Sequence, residues 1–440
     1  MRRRLAEALV RPVDGASLAA FRILFGLLMA GSLVRFIASG WIETFYGEPS
    51  FHFTYWGFGW IEPLPVAGMV ALHAALAVCA LAIAVGFHHR LFAALFFLGF
   101  SYAELCDVTN YLNHYYLVAL LSLLLVFLPA AKTVPAWAVY LVRAQIAVVY
   151  LYAGLAKLQP DWLLGAQPLN IWLTARADTA IIGPLLDEVW VHYLFSWAAF
   201  LFDTTIVLWL SWRRTRLAAY AVLLVFHSMT GLFFNIGLFP FLMSACALVF
   251  FPPDWPRRLF GRSLPAIEST PARRLSRPAL ALAAAFLACQ VLVPLRHLVY
   301  PGDVLWNEQG MRFAWKVMVR EKHGSVTYRV SFPATGKTLL VSPRRYLTAR
   351  QEREMAGQPD LILQLAHRIA RDFRARGHGE VEVRADALVS LNGRPARPMI
   401  DPTVDLARVP DDLSAAGWIT AAPDEPPILL ERTALARRSR

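Results

Sequence analysis

The chain has 440 residues, of which 57% are hydrophobic and 17% are charged, and its formal net charge is +12. Several apolar runs exceed the roughly 18 residues that suggest a spanning helix, which excludes an ordinary soluble protein. The positive charge does not indicate nucleic-acid binding, because much of it lies in short loops between apolar runs, where membrane topology accounts for it.

The first 300 residues are predicted to form a polytopic membrane helix bundle of about nine spans. We expect these spans at 17–38, 67–86, 91–107, 115–131, 137–158, 188–211, 217–235, 236–252 and 278–299. Basic residues collect in every second connecting segment, and the opposite loops carry mainly acidic residues. This positive-inside pattern predicts a cytoplasmic N-terminus and an extracytoplasmic C-terminal part.

The composition changes after Tyr300 to that of a soluble domain. Residues 301–400 are predicted to form a small extramembrane α+β domain, so the fold class as a whole is mostly α. Strands are expected at 313–319, 325–332 and 338–341, a helix at 348–376, and a closing hairpin at 380–391. Residues 401–440, rich in Pro and Ala, are predicted to be a poorly ordered tail.

The four cysteines lie in or beside apolar runs and show no metal-ligand spacing, which favours packing roles and predicts no metal site. The more informative residues are ionisable groups inside predicted spans, where a charge is unfavourable without a reason. They are Arg22, Arg35, His114, Arg143, Lys157, Asp203, His227 and His297. Arg143 and Asp203 are interpreted as structural partners within the bundle.

The predicted topology puts four polar groups from four different spans at a similar depth, toward the outer leaflet. They are Asn113-His114, Lys157, His227 and His297. This distribution is expected of a pocket inside the bundle. Each residue also has an ordinary structural interpretation: a lysine at a helix end snorkels to the interface, and an intramembrane histidine bonds neighbouring helices. For Lys157 the alternative is a base, since burial disfavours the ammonium form.

Four segments of the chain, in this order and spacing, carry a family resemblance. They read RPVDGASLAAFRILFGLLMA, TNYLNHYYL, RAQIAVVYLYAGLAKLQPDW and FHSMTGLFFNIGLFPF. They resemble the motifs of the vitamin K-dependent gamma-glutamyl carboxylases, whose bacterial relatives are grouped under a horizontally transferred transmembrane (HTTM) domain. The resemblance implies an enzyme of the bacterial inner (plasma) membrane. Its expected partner is the lipid bilayer, and no nucleic-acid partner is expected.

The resemblance also implies the chemistry. Such enzymes couple the oxygenation of reduced vitamin K (phylloquinol or menaquinol) to its epoxide with carboxylation of glutamyl residues in a peptide or protein. Dioxygen and carbon dioxide are the co-substrates. On this resemblance Lys157, His227 and His297 are implied as catalytic residues, and Asn113, His114 and Tyr150 as residues that bind the quinone.

Two other functions stay open from the sequence. A relative of these enzymes could be a quinol epoxidase that carboxylates some other carboxylic acid, or nothing. A membrane transporter or a quinone-binding scaffold without catalysis is the alternative of another class. A transporter usually shows repeat symmetry, and the two halves of this chain do not resemble each other.

Overall fold

The computed structural model of the protein describes residues 2–234, 236–261 and 277–430. In chain order its helices are α1 (Arg2–Val10), α2 (Ala16–Ala38), α3 (Val66–Val85), α4 (His89–Leu105), α5 (Asn113–Phe127), α6 (Ala136–Ala156), α7 (Pro160–Leu163), α8 (Leu169–Thr174), α9 (Gly183–Leu186), α10 (Val189–Ser211), α11 (Arg216–Phe233), α12 (Phe239–Ala247), α13 (Trp255–Leu259), α14 (Arg277–Leu292), α15 (Val304–Asn307), α16 (Ala349–Met355) and α17 (Pro359–Ala375). The strands are β1 (Pro12–Asp14), β2 (Thr133–Pro135), β3 (Lys322–Phe332), β4 (Lys337–Val341), β5 (Glu382–Leu391) and β6 (Arg397–Pro398).

Six helices of the described chain are long and apolar enough to cross a membrane. They are α2, α3, α6, α10, α11 and the continuous stretch Pro278–Val299. Shorter helices occupy the other three predicted spans: α4 has 17 residues, α5 has 15 and α12 has 9. At 1.5 Å per residue, a 15-residue helix extends only about 22 Å, whereas the hydrocarbon core is roughly 30 Å thick. The predicted count of nine spans is therefore not confirmed.

Helix α6 occupies the middle of the bundle. It is the most buried of the six candidate spans, while α10, α11 and Pro278–Val299 are the least buried. Close packing elsewhere depends on small residues: a Cβ added to Gly26 of α2 would lie 2.4 Å from the carbonyl oxygen of Ala80 on α3. Helix α10 packs on both α6 and α11, so the interior face of α10 can present side chains to α6.

The part of the chain after residue 300, here called the outer domain, is built around a four-stranded antiparallel sheet of order β4-β3-β5-β6. Strands β3 and β5 pair over most of their length, with Tyr328 opposite Ala385. Helix α17 covers the sheet with an apolar face in which Leu361, Leu365 and Ile369 are fully buried. The predicted helical periodicity of this segment is confirmed.

Three predicted elements of the outer domain are wrong in detail. Residues 313–319 are a series of turns, not a strand, and Phe313, Trp315 and Met318 have φ angles of 62°, 54° and 54°. The predicted helix is divided at Gly357 into α16 and α17. The predicted hairpin is the single strand β5, because β3 offers it a partner throughout. The apolar residues at 313–319 signalled burial correctly, but Trp315 is buried against the bundle, where it stacks on Tyr116, and not in a sheet.

The outer domain is bonded to the bundle through the segment that follows α6. Asp161 accepts hydrogen bonds from two guanidinium nitrogens of Arg394, at 2.6 and 2.7 Å, and from the Asn392 amide at 2.9 Å. The Asp161 carboxylate raises the pKa of Arg394 through this bonding. A bidentate arginine–carboxylate pair fixes orientation as well as distance. The end of α6 is therefore held by the outer domain.

Residues 401–430, which the sequence assigns to a tail, pack along the outer domain. Ile400 and Ile419 form an antiparallel bridge, and the Leu430 amide donates to the Asn170 side chain at 2.7 Å. The rest of the predicted tail, 431–440, lies outside the described residues.

Candidate active site

Lys157 lies at the carboxyl end of α6, where it is the C-cap residue. The helix stops here because Gln159 precedes Pro160, and the residue before a proline is driven out of the helical region; Gln159 has φ −150° and ψ 155°. The Lys157 side chain folds inward and is buried. Its Nζ donates to the Ala153 carbonyl oxygen at 3.1 Å and lies 5.1 Å from the centre of the Trp162 ring. Lys157 is therefore not a snorkelling residue.

A buried carboxylate faces this lysine. Lys157 Nζ lies 2.8 Å from Oδ2 of Asp203, which comes from α10. The two helices approach closely because Gly154 has no side chain: a Cβ there would lie 2.6 Å from Thr204. Burying a lone charge is strongly unfavourable, whereas a hydrogen-bonded pair of opposite charges is tolerated. The lysine is thus a member of a charge pair and not the isolated amine that the sequence suggested.

Asp203 is the functional candidate that sequence reasoning missed. Asp203 and Arg143, both interpreted as structural partners within the bundle, do not pair with each other, because the Arg143 guanidinium donates to the carbonyl oxygens of Val249, Phe250 and Phe251. Lys157 and Asp203 are 46 positions apart, in different helices, and share no motif. The available signal was that Lys157 needed a counter-charge and that few acidic residues lie within the spans.

A second polar pair joins α6 to α11. The Tyr150 hydroxyl is 2.8 Å from Nε2 of His227, and both side chains are buried. Tyr150 precedes Lys157 by seven residues, which is two turns or about 10 Å along the axis. His227 comes from α11, where Phe226 stacks on Phe202 with ring centres 3.9 Å apart. Helices α6, α10 and α11 thus supply two polar pairs to one region.

Both pairs line one cavity of about 350 Å³ between α6, α10 and α11. Most of its other lining residues are aromatic or aliphatic. They include Trp162, Trp172, Phe195, Phe226, Phe233, Phe234, Phe239 and Met243. Leu194 and Met229 also line it and are 55% and 37% exposed, so the cavity reaches the lipid-facing surface between α10 and α11. From the outer domain, Val317 and Met318 form part of its wall.

The other three predicted site residues are not among the described residues that line this cavity. His114 is buried, and Phe239 lies beside both His114 and His227. The ring centre of Phe239 lies 6.1 Å from that of His114 and 6.1 Å from that of His227. Asn113 accepts a hydrogen bond from the Tyr111 hydroxyl at 3.0 Å. His297 lies in the turn after α14, with Nδ1 2.8 Å from the Pro294 carbonyl oxygen. The structure brings Lys157, Tyr150 and His227 together and leaves the remaining three at or beyond the margin.

Asn113 instead lines a more polar pocket of about 410 Å³ on the outer side. Five basic residues of the outer domain contribute to it, with three acidic ones. They are Arg312, Lys316, Arg320, Lys322 and Arg353, with Glu308, Glu321 and Glu354. Burial lowers the pKa of Lys316. Met318 lines both this pocket and the Lys157 cavity, so the cationic outer pocket and the apolar inner cavity adjoin at this residue.

Among the described residues, no group of three His, Cys, Asp or Glu side chains is arranged to hold a metal ion. Comparison with known proteins gives two family matches. Residues 10–255 match the HTTM domain, and residues 276–425 match the lumenal domain of vitamin K-dependent gamma-carboxylase. The comparison with solved structures gives no match.

Proposed function

The chain belongs to the vitamin K-dependent gamma-carboxylase family, and from this premise we propose that it is a membrane enzyme that couples epoxidation of reduced vitamin K to carboxylation of glutamyl residues. The observation that carries the proposal is the Lys157–Asp203 pair at the edge of an apolar cavity open to lipid. Its location in a bacterial inner membrane, with the outer domain outside, is part of the same proposal.

The cavity has the properties that a vitamin K quinol needs. Its volume of about 350 Å³ and its aromatic walls suit a flat bicyclic head group, and the exposed Leu194 and Met229 mark an exit for a prenyl tail into lipid. A quinol head has two hydroxyl groups, and the cavity offers two polar pairs, Lys157 with Asp203 and Tyr150 with His227. When bound, the quinol supplies a hydroquinone whose reaction with dioxygen drives the carboxylation.

We assign the Lys157–Asp203 pair to proton transfer. Lys157 Nζ donates one N–H to Asp203 and one to the Ala153 carbonyl oxygen, which leaves a third N–H without a partner among the described residues. Across the 2.8 Å contact a proton on Nζ can pass to Oδ2, and the neutral amine then accepts a proton from a hydroxyl placed against it. The carboxylate thus supplies the basicity that the sequence interpretation assigned to burial alone.

Tyr150 and His227 are assigned to orientation at the other pair. The hydrogen bond between the Tyr150 hydroxyl and Nε2 of His227 fixes both side chains, so that a bound hydroxyl or carbonyl meets a preset donor. Aromatic walls exclude water, which would otherwise quench a strongly basic species. His114, Asn113 and His297 stay candidates for contacts just outside this cavity.

The cationic outer pocket is assigned to the carboxylate substrate. Lys316 and Arg353 line it, and Met318 lines both this pocket and the Lys157 cavity. Basic side chains attract a glutamyl carboxylate, and a peptide on the outer domain could present such a side chain here. This arrangement would bring the water-soluble glutamyl peptide and the lipid-soluble quinol to adjoining sites that meet at Met318.

The proposal is tested by direct assay of the purified full-length protein. Reduced vitamin K, dioxygen, labelled bicarbonate and a glutamyl peptide are supplied, and both epoxide and incorporated label are measured. Production of both supports the proposal. Epoxide without label reduces the function to quinol epoxidation. The absence of both products would favour a transporter or a quinone-binding scaffold.

A Lys157→Ala variant gives the assay its internal control. We expect it to lose epoxide formation, and we expect an exogenous amine small enough to enter the cavity to restore part of it. An unaffected variant would mean that Lys157 only holds α6 and α10 together.

A further inference from the structure

A second, smaller chamber lies among the outer ends of α2, α3, α4 and α5, with a volume of about 140 Å³. Its walls are largely aromatic. They include Phe36, Phe45, Tyr46, Phe100, Tyr111 and Tyr115. It shares no lining residue with the Lys157 cavity, within the described chain, and its size suits a group of about benzene's volume, too small for a naphthoquinol. The proposed function does not use this chamber, although Thr109, Tyr111, Leu112 and Glu354 line both it and the cationic outer pocket.

Asn110 marks the chamber as a binding site. Its side chain is only 7% exposed, it lines the chamber, and neither its amide nitrogen nor its amide oxygen has a hydrogen-bond partner among the described residues. Nearly all buried polar groups in native proteins are hydrogen-bonded. A buried amide with both atoms unsatisfied and facing a chamber therefore indicates a ligand that accepts from one and donates to the other.

Glu104 indicates the charge of that ligand. It lines the same chamber from the end of α4, and no hydrogen bond or ion pair joins its carboxylate to any described residue. Arg350 also lines the chamber, but its guanidinium is committed to Thr109 and lies 4.1 Å over the Phe45 ring. Glu354 lines the chamber as well, and its carboxylate interacts electrostatically with that arginine. Glu104 is therefore a carboxyl with no polar partner among the described residues, and a bound cation would supply its counter-charge.

We propose that this chamber binds a primary ammonium group, with Glu104 as its counter-ion, the Asn110 carbonyl as its acceptor and the aromatic rings as its walls. A lone carboxylate among aromatic faces is the environment in which proteins hold organic cations, since each ring face attracts positive charge. The Asn110 oxygen selects an N–H donor over a fully substituted ammonium.

The ammonium could come from a lipid headgroup or from a free amine, because the chamber lies at the outer ends of the spans, next to the outer leaflet. The headgroup of phosphatidylethanolamine and free ethanolamine present the same group. The test separates these sources. Binding of either would add a site to the protein that does not depend on its catalytic activity.

The experiment uses the full-length protein, delipidated in detergent. Thermal unfolding is measured with ethanolamine and with ethylene glycol, a neutral molecule of similar size. Native mass spectrometry then compares phosphatidylethanolamine with phosphatidylglycerol of the same acyl chains. We expect ethanolamine, phosphatidylethanolamine or both to bind in preference to their controls. Retention of the lipid alone identifies a headgroup site, and binding of ethanolamine alone identifies a free amine.

The deciding variant is Glu104→Gln, with Glu62→Gln as its control, since Glu62 is an exposed acidic residue that does not line the chamber. We expect Glu104→Gln to weaken binding at least about tenfold and Glu62→Gln to leave it unchanged. Asn110→Leu, which removes the acceptor, serves the same purpose if Glu104→Gln does not fold. Equal binding of the neutral controls, no binding at all, or binding unaffected by the chamber variants would overturn the proposal.

Discussion

The protein buries two lysines in closely matched surroundings, one in each part of the molecule. Lys157 pairs with Asp203 at 2.8 Å beside the Trp162 ring, and Lys322 pairs with Glu308 at 3.0 Å beside the Trp306 ring. The difference is in the remaining donors. Lys322 also donates to the carbonyl oxygens of Trp306 and Gly357, so that all three of its N–H groups are used.

Within the described chain, Lys157 keeps one N–H unused and faces a cavity open to lipid. The comparison teaches that neither burial nor a carboxylate partner distinguishes a reactive lysine from a structural one. A fully bonded ammonium crosslinks the backbone of its domain, whereas an ammonium with a free position can meet a substrate.

The largest effect is expected from Lys157→Met, which keeps the length of the side chain and removes its amine. We expect epoxide formation to fall by about 10²- to 10⁴-fold, the range that positioned acid–base groups contribute. The measurement is the rate per folded protein, with folding checked by size-exclusion chromatography. A rate within a few-fold of the unmodified protein would remove the distinction between the two lysines.

Lys322→Met is the matched control and should act on stability. It leaves two backbone carbonyls and a buried carboxylate short of a donor, and Glu308 retains only Arg320, at 2.8 Å. We expect the free energy of unfolding to drop by about 2–4 kcal/mol. Because Lys322 also lines the outer pocket assigned to the carboxylate substrate, epoxide formation measured without peptide is the activity that should be unchanged per folded molecule. Selective loss of activity without loss of stability would mean that Lys322 serves the reaction.

Asp203→Asn tests whether the carboxylate holds the proton that leaves Lys157. The amide keeps a hydrogen bond to Nζ but cannot accept that proton, so we expect a loss of about 10- to 100-fold and a pH–rate profile that changes shape. Asp203→Glu should recover part of the rate. A profile of unchanged shape, with activity lost only in proportion to folded protein, would limit Asp203 to a packing role.

The smallest effect concerns pH. Burial lowers the pKa of Lys322 to about 8, below its value of roughly 10.4 in an unfolded chain. Between these values the unfolded chain binds more protons than the folded one, so this lysine makes the free energy of unfolding rise with pH, by at most about 1.4 kcal/mol per unit. Urea unfolding of the unmodified protein and of Lys322→Met at several pH values should show this slope only in the former. An equal slope in both would contradict it.

Much of the fold could be predicted from the sequence, because apolar runs and loop charges are local signals. The long helices α2, α3, α6, α10 and α11 lie close to their predicted positions. Span count was harder, since composition does not reveal where a helix is too short to cross. The turns at 313–319 were mistaken for a strand because apolar content reports burial and not backbone conformation.

The candidate site could be predicted only in part. Lys157, Tyr150 and His227 belong to motifs that a sequence displays, and they line one cavity. Asp203 depends on a contact between α6 and α10, made possible by Gly154, and no local pattern encodes such a contact. The same holds for Asn110 and Glu104, which line one chamber and have side chains without polar partners among the described residues; no local sequence pattern shows this.

The clamp between Asp161 and Arg394 has a consequence for how the two parts of the chain depend on each other. Asp161 follows Lys157 by four residues, and Val317 and Met318 complete the wall of the lysine's cavity. A fragment ending at residue 300 would contain every candidate span and still lack both the anchor and the wall. The two parts are therefore not interchangeable. A hybrid that joins this membrane bundle to another protein's outer domain would need equivalents of the Asp161–Arg394 pair and of the cavity wall to position Lys157 correctly.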